Sequence, residues 1–164
     1  MGQFAAWRRH AMNIALGLTT HEAKTMERIN HFAVLLAVLL QQVLGFAWYH
    51  FLFGPAWLAR LGMTPEQMQG RSWRFVVAIG CGLVSAYGLA WLMEATSRRG
   101  FVQGVAMGLF TGIAFAGSAV LLHYAFIPAA WPAAWIDCGV TVAAAVLTGA
   151  VLGLWPKRAR VARL

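Results

Sequence analysis

NHFAVLLAVLLQQVLGFAWYHFLF, residues 30–53, contains no Asp, Glu, Lys or Arg. Three further segments carry almost no formal charge: residues 75–93, 101–127 and 133–155. At about 1.5 Å per helical residue, each segment covers a hydrocarbon core of roughly 30 Å. The segments also lack the polar–apolar alternation of barrel strands. The sequence therefore predicts an all-α integral membrane protein with four transmembrane helices.

The composition of the whole chain agrees with this class. Of the 164 residues, 60% are hydrophobic and 11% are charged, and the mean hydropathy is +0.65. A soluble core is the alternative, but it would need polar outer faces that these segments do not supply. We predict an N-terminal segment at residues 1–29, a transmembrane domain at 30–155 and a basic tail at 156–164.

The basic residues predict the orientation of the helices. With four spans, both termini and the connection near Ser97 share one side, which holds ten cations: Arg8, Arg9, Lys24, Arg28, Arg98, Arg99, Lys157, Arg158, Arg160 and Arg163. The other side holds Arg60, Arg71 and Arg74. The excess predicts cytoplasmic termini. Because the cations lie beside apolar segments, we expect the lipid bilayer with its anionic headgroups, and no nucleic acid, as their partner.

Tryptophans lie near the predicted boundaries of the spans. The outer group is Trp48, Trp57, Trp73, Trp131 and Trp135, and the inner group is Trp91 and Trp155. Amphipathic rings prefer the depth of the headgroups. We therefore expect these residues to anchor the chain at the membrane interface.

Two segments outside the spans have helical patterns. Apolar residues follow alternating steps of three and four near the N-terminus: Phe4, Trp7, Ala11, Ile14 and Leu18. This spacing predicts an amphipathic helix that lies on the membrane or against another protein. In the first outer loop, Thr64, Pro65 and Gln67 have the spacing of a helix cap and predict a short helix.

Small residues predict close packing of helices within the membrane. They recur at four-residue steps in the third and fourth spans: Gly104, Gly108, Gly112, Gly149 and Gly153. Backbones approach closely at such stripes, either within the bundle or between copies of the chain. Gln41, near the middle of the first span, is expected to hydrogen-bond another helix, with a polar substrate pathway as the alternative.

The residues with the potential for chemistry are few. His50 and His123 are predicted near the outer boundary, and Asp137 begins the fourth span at a similar depth. Two imidazoles and a carboxylate are a candidate metal or proton site, although no HxxxH or ExxH spacing supports a metal. No nucleophilic triad, phosphate loop, dinucleotide fingerprint or zinc-protease motif is present. We therefore predict no enzyme activity, no catalytic residues and no cofactor.

One string of residues carries a family resemblance. GFAWYHFLFGPAW at 45–57, followed by GMTPE at 62–66, resembles the small bacterial membrane family catalogued as domain of unknown function 1761. The resemblance covers about residues 31 to 155 and implies a four-helix unit in the bacterial inner (cytoplasmic) membrane. A small residue often stands in that family where His50 is, and a lysine where Pro55 is. The resemblance supplies a fold and no activity.

Two similar strings of residues bear on the function. HFLFGPAW at 50–57 ends the first predicted span, and HYAFIPAAW at 123–131 ends the third. This similarity reflects either a repeat of two parallel helical hairpins, as in some transporters, or only the ordinary composition of helix ends. Two functions stay open. The first is a non-catalytic accessory subunit that packs against other membrane subunits or itself, and the second is a small oligomeric transporter or channel.

Overall fold

The computed structural model describes residues 12, 29–68, 70, 72–98 and 100–155, and within these residues all regular secondary structure is helical. Helix α1 covers His31–Ala47 and continues through a π-helical stretch at Trp48–Leu52, followed by α2 at Gly54–Leu61. A 3₁₀ turn at Pro65–Met68 precedes α3 at Trp73–Ala95. Helix α4 consists of Phe101–Thr111, a π-helical stretch at Gly112–Gly117, and Ser118–Ala125. A 3₁₀ segment at Pro128–Ala133 leads into α5 at Ala134–Leu154.

Four of these helical stretches are long and apolar enough to cross a membrane: His31–Leu52, Trp73–Ala95, Phe101–Ala125 and Ala130–Leu154. The prediction of an all-α protein with four helices long and apolar enough to span a membrane is therefore confirmed for the described residues. The predicted amphipathic helix in residues 1–29 lies outside the described residues, except for Met12 and Ile29, and so does the predicted basic tail at 156–164.

The hydrophobic core lies at the end of the bundle where α1 begins. Ile29 and Val34 are almost completely buried there, together with Met93 of α3 and Leu152 of α5. Asn30 caps α1, because its side-chain oxygen accepts hydrogen bonds from the first-turn amides, and its amide donates to the carbonyl oxygen of Trp155 at 3.0 Å. This contact ties the beginning of α1 to the end of α5.

Helices α4 and α5 form the closest interface of the bundle. A Cβ on Gly104 would overlap the carbonyl oxygen of Gly149, and a Cβ on Gly149 would overlap that of Gly104. A Cβ on Gly108 or Gly153 would likewise overlap a backbone carbonyl oxygen across this contact, and a Cβ on Gly112 would lie 3.0 Å from Cβ of Ala145. The five glycines that the sequence predicts as helix-packing residues thus all lie at the α4–α5 contact. They bring two backbones together within one chain.

Helix α3 is packed on α1 only over its second half. Gly82 lies against α1, where a Cβ would come within 2.9 Å of Gln41 Oε1. Every described residue from Ser72 to Cys81 is exposed, apart from the half-buried Arg74. Helix α3 also meets α4 and α5 at few points. Its first half therefore stands away from the bundle and leaves space on its inner side.

The connection between α1 and α3 contains a helix that the sequence did not predict. Helix α2 follows α1 after a bend at Phe53. At this bend Gly54 lies so close to Tyr49 that a Cβ would overlap the carbonyl oxygen of Tyr49. Further along, a 3₁₀ turn lies in the segment for which the sequence predicts a short helix. There the backbone N–H of Thr64 donates to Gln67 Oε1 at 2.9 Å, as in a capping box.

Candidate functional site

A carboxylate held by two tyrosines joins three helices at the end of the bundle near α2. Asp137 lies in the first turn of α5. The hydroxyl of Tyr49, in the π-helical stretch of α1, donates to Asp137 Oδ1 at 2.6 Å. The hydroxyl of Tyr124, in the last turn of α4, donates to Asp137 Oδ2. We call Tyr49, Tyr124 and Asp137 the Asp137 cluster.

The π-helical stretch of α1 is fixed on α5 by its tryptophan. The indole N–H of Trp48 donates to the carbonyl oxygen of Ile136 at 3.2 Å. The ring also packs on Gly139, where a Cβ would lie 2.9 Å from the indole. This contact orients the next residue, Tyr49, towards the carboxylate. A carboxylate in an apolar surrounding needs such donors, since its isolated charge is costly to bury.

The two histidines stand outside the Asp137 cluster. The ring of His50 is exposed and stacks on Phe46, with 4.9 Å between the ring centroids. His123 is exposed and lies edge-on to Tyr124. Within residues 12, 29–68, 70, 72–98 and 100–155, no group of three His, Cys, Asp or Glu side chains could hold a metal ion. The structure therefore does not bring His50, His123 and Asp137 together as metal ligands.

Two glutamines near the middle of α1 have different surroundings. Gln41 Nε2 donates to Thr148 Oγ1 of α5 at 2.6 Å, and this buried hydroxyl donates in turn to the carbonyl oxygen of Ala144 at 2.7 Å. Gln41 thus links α1 to α5. Gln42 is half-buried, and its amide has no hydrogen-bond partner in the part of the chain that the structure describes.

A cavity of about 610 Å³ lies between the four spans and is lined in part by polar side chains: Gln41, Gln42, Ser85, Thr111, Thr141 and Thr148. We call it the central cavity. Exposed lining residues lie on α3 at Cys81, Ser85 and Gly88, and on α4 at Phe115. The central cavity therefore opens sideways between α3 and α4, where a surrounding membrane would lie.

A second cavity, of about 800 Å³, lies between α1 and α3 at the end of the bundle where α2 is. We call it the first-loop cavity. Gln42, Gly45 and Ala78 line both cavities, so the two spaces adjoin. Their lining residues run along α3 from Arg74 to Leu92, which at 1.5 Å per residue is about 27 Å. The space beside α3 thus extends over most of a membrane's hydrocarbon thickness.

The predicted interface tryptophans fall into two groups. Five of them expose more than a third of their surface: Trp73, Trp91, Trp131, Trp135 and Trp155. Trp48 and Trp57 are half-buried inside the chain. Trp48 connects α1 to α5, as described above, and Trp57 lines the first-loop cavity.

The region that contains the Asp137 cluster and both cavities matches a known family. The family model described as "Protein of unknown function (DUF1761)" matches residues 32–153. The chain belongs to this family. The resemblance seen in the sequence is therefore confirmed. No curated protein and no solved structure matches the chain. Since the description of the family gives no activity, the function has to be inferred from the geometry.

Sequence reasoning selected Asp137 but missed both of its partners. The sequence contained a signal for these partners. The chain has only three tyrosines, and Tyr49 and Tyr124 each adjoin a histidine that the sequence predicts near Asp137. A carboxylate within a span requires hydrogen-bond donors. Tyrosine hydroxyls at the same depth were the nearest candidates.

Proposed function

We propose that the chain is a non-catalytic accessory subunit that packs against a larger membrane protein complex, with a transmembrane helix of the partner seated in the opening of the central cavity. The observation that carries this proposal is the amide of Gln42. It lies near the middle of α1, lines a cavity that opens sideways, and has no hydrogen-bond partner among the described residues.

The chemistry of the membrane gives Gln42 its importance. An amide that faces hydrocarbon without a hydrogen bond is costly, and polar side chains in membrane helices normally pair across a helix–helix contact. Gln41 does so within the chain, through Thr148. A partner helix with a polar side chain at the same depth would satisfy Gln42 in the same way.

The shape of the opening suits a helix. Ser85 and Gly88 of α3 and Ala144 of α5 line the central cavity, and their side chains are small. Small residues let two helix backbones approach closely, so that dispersion forces hold the helices together in lipid. The adjoining cavities follow α3 for about 27 Å, which is most of the length of a membrane-spanning helix.

The setting that we propose is the inner membrane of a bacterium, with both termini in the cytoplasm. The support is the distribution of the basic residues and the bacterial character of the family resemblance. In this orientation the first-loop cavity faces the outer side. The cations near the termini then lie beside the anionic lipids of the cytoplasmic leaflet.

Gly88→Leu tests the helix-docking proposal. A Cβ on Gly88 meets nothing within 4 Å, so the new side chain fits the folded chain while it fills the opening of the central cavity. We expect the variant to fold like the wild type and to lose the partner. Purification of the tagged, full-length chain from its native membrane in mild detergent, followed by mass analysis of the co-purifying proteins, measures this loss.

Gly80→Leu is the matched control. Gly80 also lies on α3 with nothing within 4 Å of its Cβ position, but it does not line the central cavity. It should retain the partner at the stoichiometry of the wild type. Wild-type protein that purifies without any stoichiometric partner would contradict the proposal, and so would a Gly88→Leu variant that keeps one. A second copy of the chain as the partner would identify a homo-oligomer.

A small oligomeric transporter is the second candidate function. The observation that favours it is the continuity of the two cavities at Gln42, Gly45 and Ala78. Polar side chains from all four spans line the deeper space. A solute could enter at the first-loop end and meet hydrogen-bonding groups along its way, as substrates do in membrane transporters.

Flux through proteoliposomes separates this candidate from the first. With glycerol and potassium chloride as probes, a transporter should raise the flux above that of empty liposomes, and Gly88→Leu should abolish the increase because it obstructs the path. Gly80→Leu should leave the flux unchanged. Absence of flux for both probes from well-folded wild-type protein would count against transport and leave the accessory role in place.

A further inference from the structure

The first-loop cavity combines an apolar wall with a cation. Phe46 of α1 and Phe75 of α3 line it and expose 58% and 67% of their surfaces, so the cavity opens towards the surrounding membrane. Arg74, in the first turn of α3, lines it as well. At about 800 Å³, the cavity lies within the range of roughly 300–1,000 Å³ that holds a small organic ligand.

The guanidinium of Arg74 has no acidic partner among the described residues. Its Nη1 lies 3.1 Å from the sulfur of Met68, and a thioether is a weak acceptor. An arginine guanidinium is a cation with five N–H donors in a planar fork that matches carboxylate and phosphate oxygens. Most of its capacity to bind an anion is therefore unused by the residues that the structure describes.

A second donor beside the cavity is also unused. Trp57 lines the cavity, and its indole N–H is buried without an acceptor in the described part of the chain. An indole nitrogen can only donate. Buried donors normally have a partner, so an orphaned donor requires an explanation such as an unseen ligand. The nitrogen is buried as the ring stands, so an acceptor on a ligand in the cavity would supply that partner after a rotation of the indole ring.

We propose that the first-loop cavity binds one anionic phospholipid of the surrounding membrane. The phosphate contacts Arg74, an oxygen of the headgroup accepts from Trp57, and an acyl chain lies along Phe46 and Phe75. Charge complementarity selects the headgroup, because the cation Arg74 lines the cavity and none of the described lining residues is a carboxylate. The sideways opening selects a lipid over a water-soluble anion. This site does not depend on the proposed function.

Arg74→Gln tests the site. Wild-type protein in mild detergent is titrated with phosphatidylglycerol, and with phosphatidylcholine as the zwitterionic comparison, and the adducts are counted by native mass spectrometry. We expect one preferred phosphatidylglycerol adduct in the wild type. Loss of a hydrogen bond to a charged group should weaken its binding about tenfold or more in Arg74→Gln. Trp57→Phe should weaken it less, since it removes a neutral donor.

Arg60→Gln is the matched control. Arg60 is an exposed cation in the last turn of α2 and does not line the cavity. This variant should bind phosphatidylglycerol like the wild type. Equal losses in Arg74→Gln and Arg60→Gln would overturn the proposal, because they would show unspecific attraction to positive charge. Equal binding of both lipids by the wild type would overturn it too, as would competition by inorganic phosphate that displaces the lipid completely.

Discussion

Gly149→Ala should destabilise the bundle by about 1 to 3 kcal/mol, although alanine is the better helix former. Exchanging glycine for alanine within a helix normally stabilises it by up to about 1 kcal/mol. At Gly149 the added methyl would overlap the carbonyl oxygen of Gly104. That oxygen belongs to a backbone and cannot rotate away, so α4 and α5 must separate. Overpacking of this kind costs about 1 to 3 kcal/mol, occasionally more.

The sign of the change in the free energy of unfolding is the test, and Gly80→Ala is the control variant. A Cβ on Gly80 meets nothing within 4 Å, so this variant should be neutral or slightly more stable than the wild type. Both free energies of unfolding can be measured in mild detergent by titration with a denaturing detergent, followed by circular dichroism. If Gly149→Ala were as stable as Gly80→Ala, the close approach of α4 and α5 would be refuted.

The four spans could be predicted because apolar length is a property of the linear sequence. A helix in lipid must satisfy its backbone internally and expose apolar side chains, and both requirements are visible residue by residue. Helix α2 was missed for the same reason. GPAWLARL at Gly54–Leu61 continues the apolar run of α1. The bend at Phe53, where Gly54 closely approaches the Tyr49 carbonyl, has no signature in hydropathy.

The rotation of each helix about its own axis is what the sequence left open. Neighbouring residues in a helix point about 100° apart, so α1 can present either Tyr49 or His50 to Asp137, but not both. The indole bond from Trp48 to Ile136 decides for Tyr49. The cavities could not be predicted from the sequence for a related reason. They arise where α3 tilts away from its neighbours, and the tilt of a helix is set by packing rather than by its own composition.

Tyr49→Phe should lower the free energy of unfolding by about 1.5 to 3 kcal/mol, the usual value for a hydrogen bond to a charged group. The hydroxyl donates to Asp137 Oδ1 at 2.6 Å in a part-buried contact. Tyr87→Phe is the control. It removes the same hydroxyl from an exposed contact with His31 at 3.0 Å, and should cost about 1 kcal/mol or less.

A double-mutant cycle with Asp137→Leu isolates the contact between Tyr49 and the carboxylate. Leucine has a similar size and no acceptor, so Tyr49→Phe should cost little in its presence. The coupling energy should be about 1 to 3 kcal/mol, as for residues in one hydrogen-bond network. Strictly additive losses would show that the hydroxyl and the carboxylate do not interact. Since Tyr124 donates to the second oxygen, its phenylalanine variant should couple to Asp137 as well, and the three residues together would then hold α1, α4 and α5 in register.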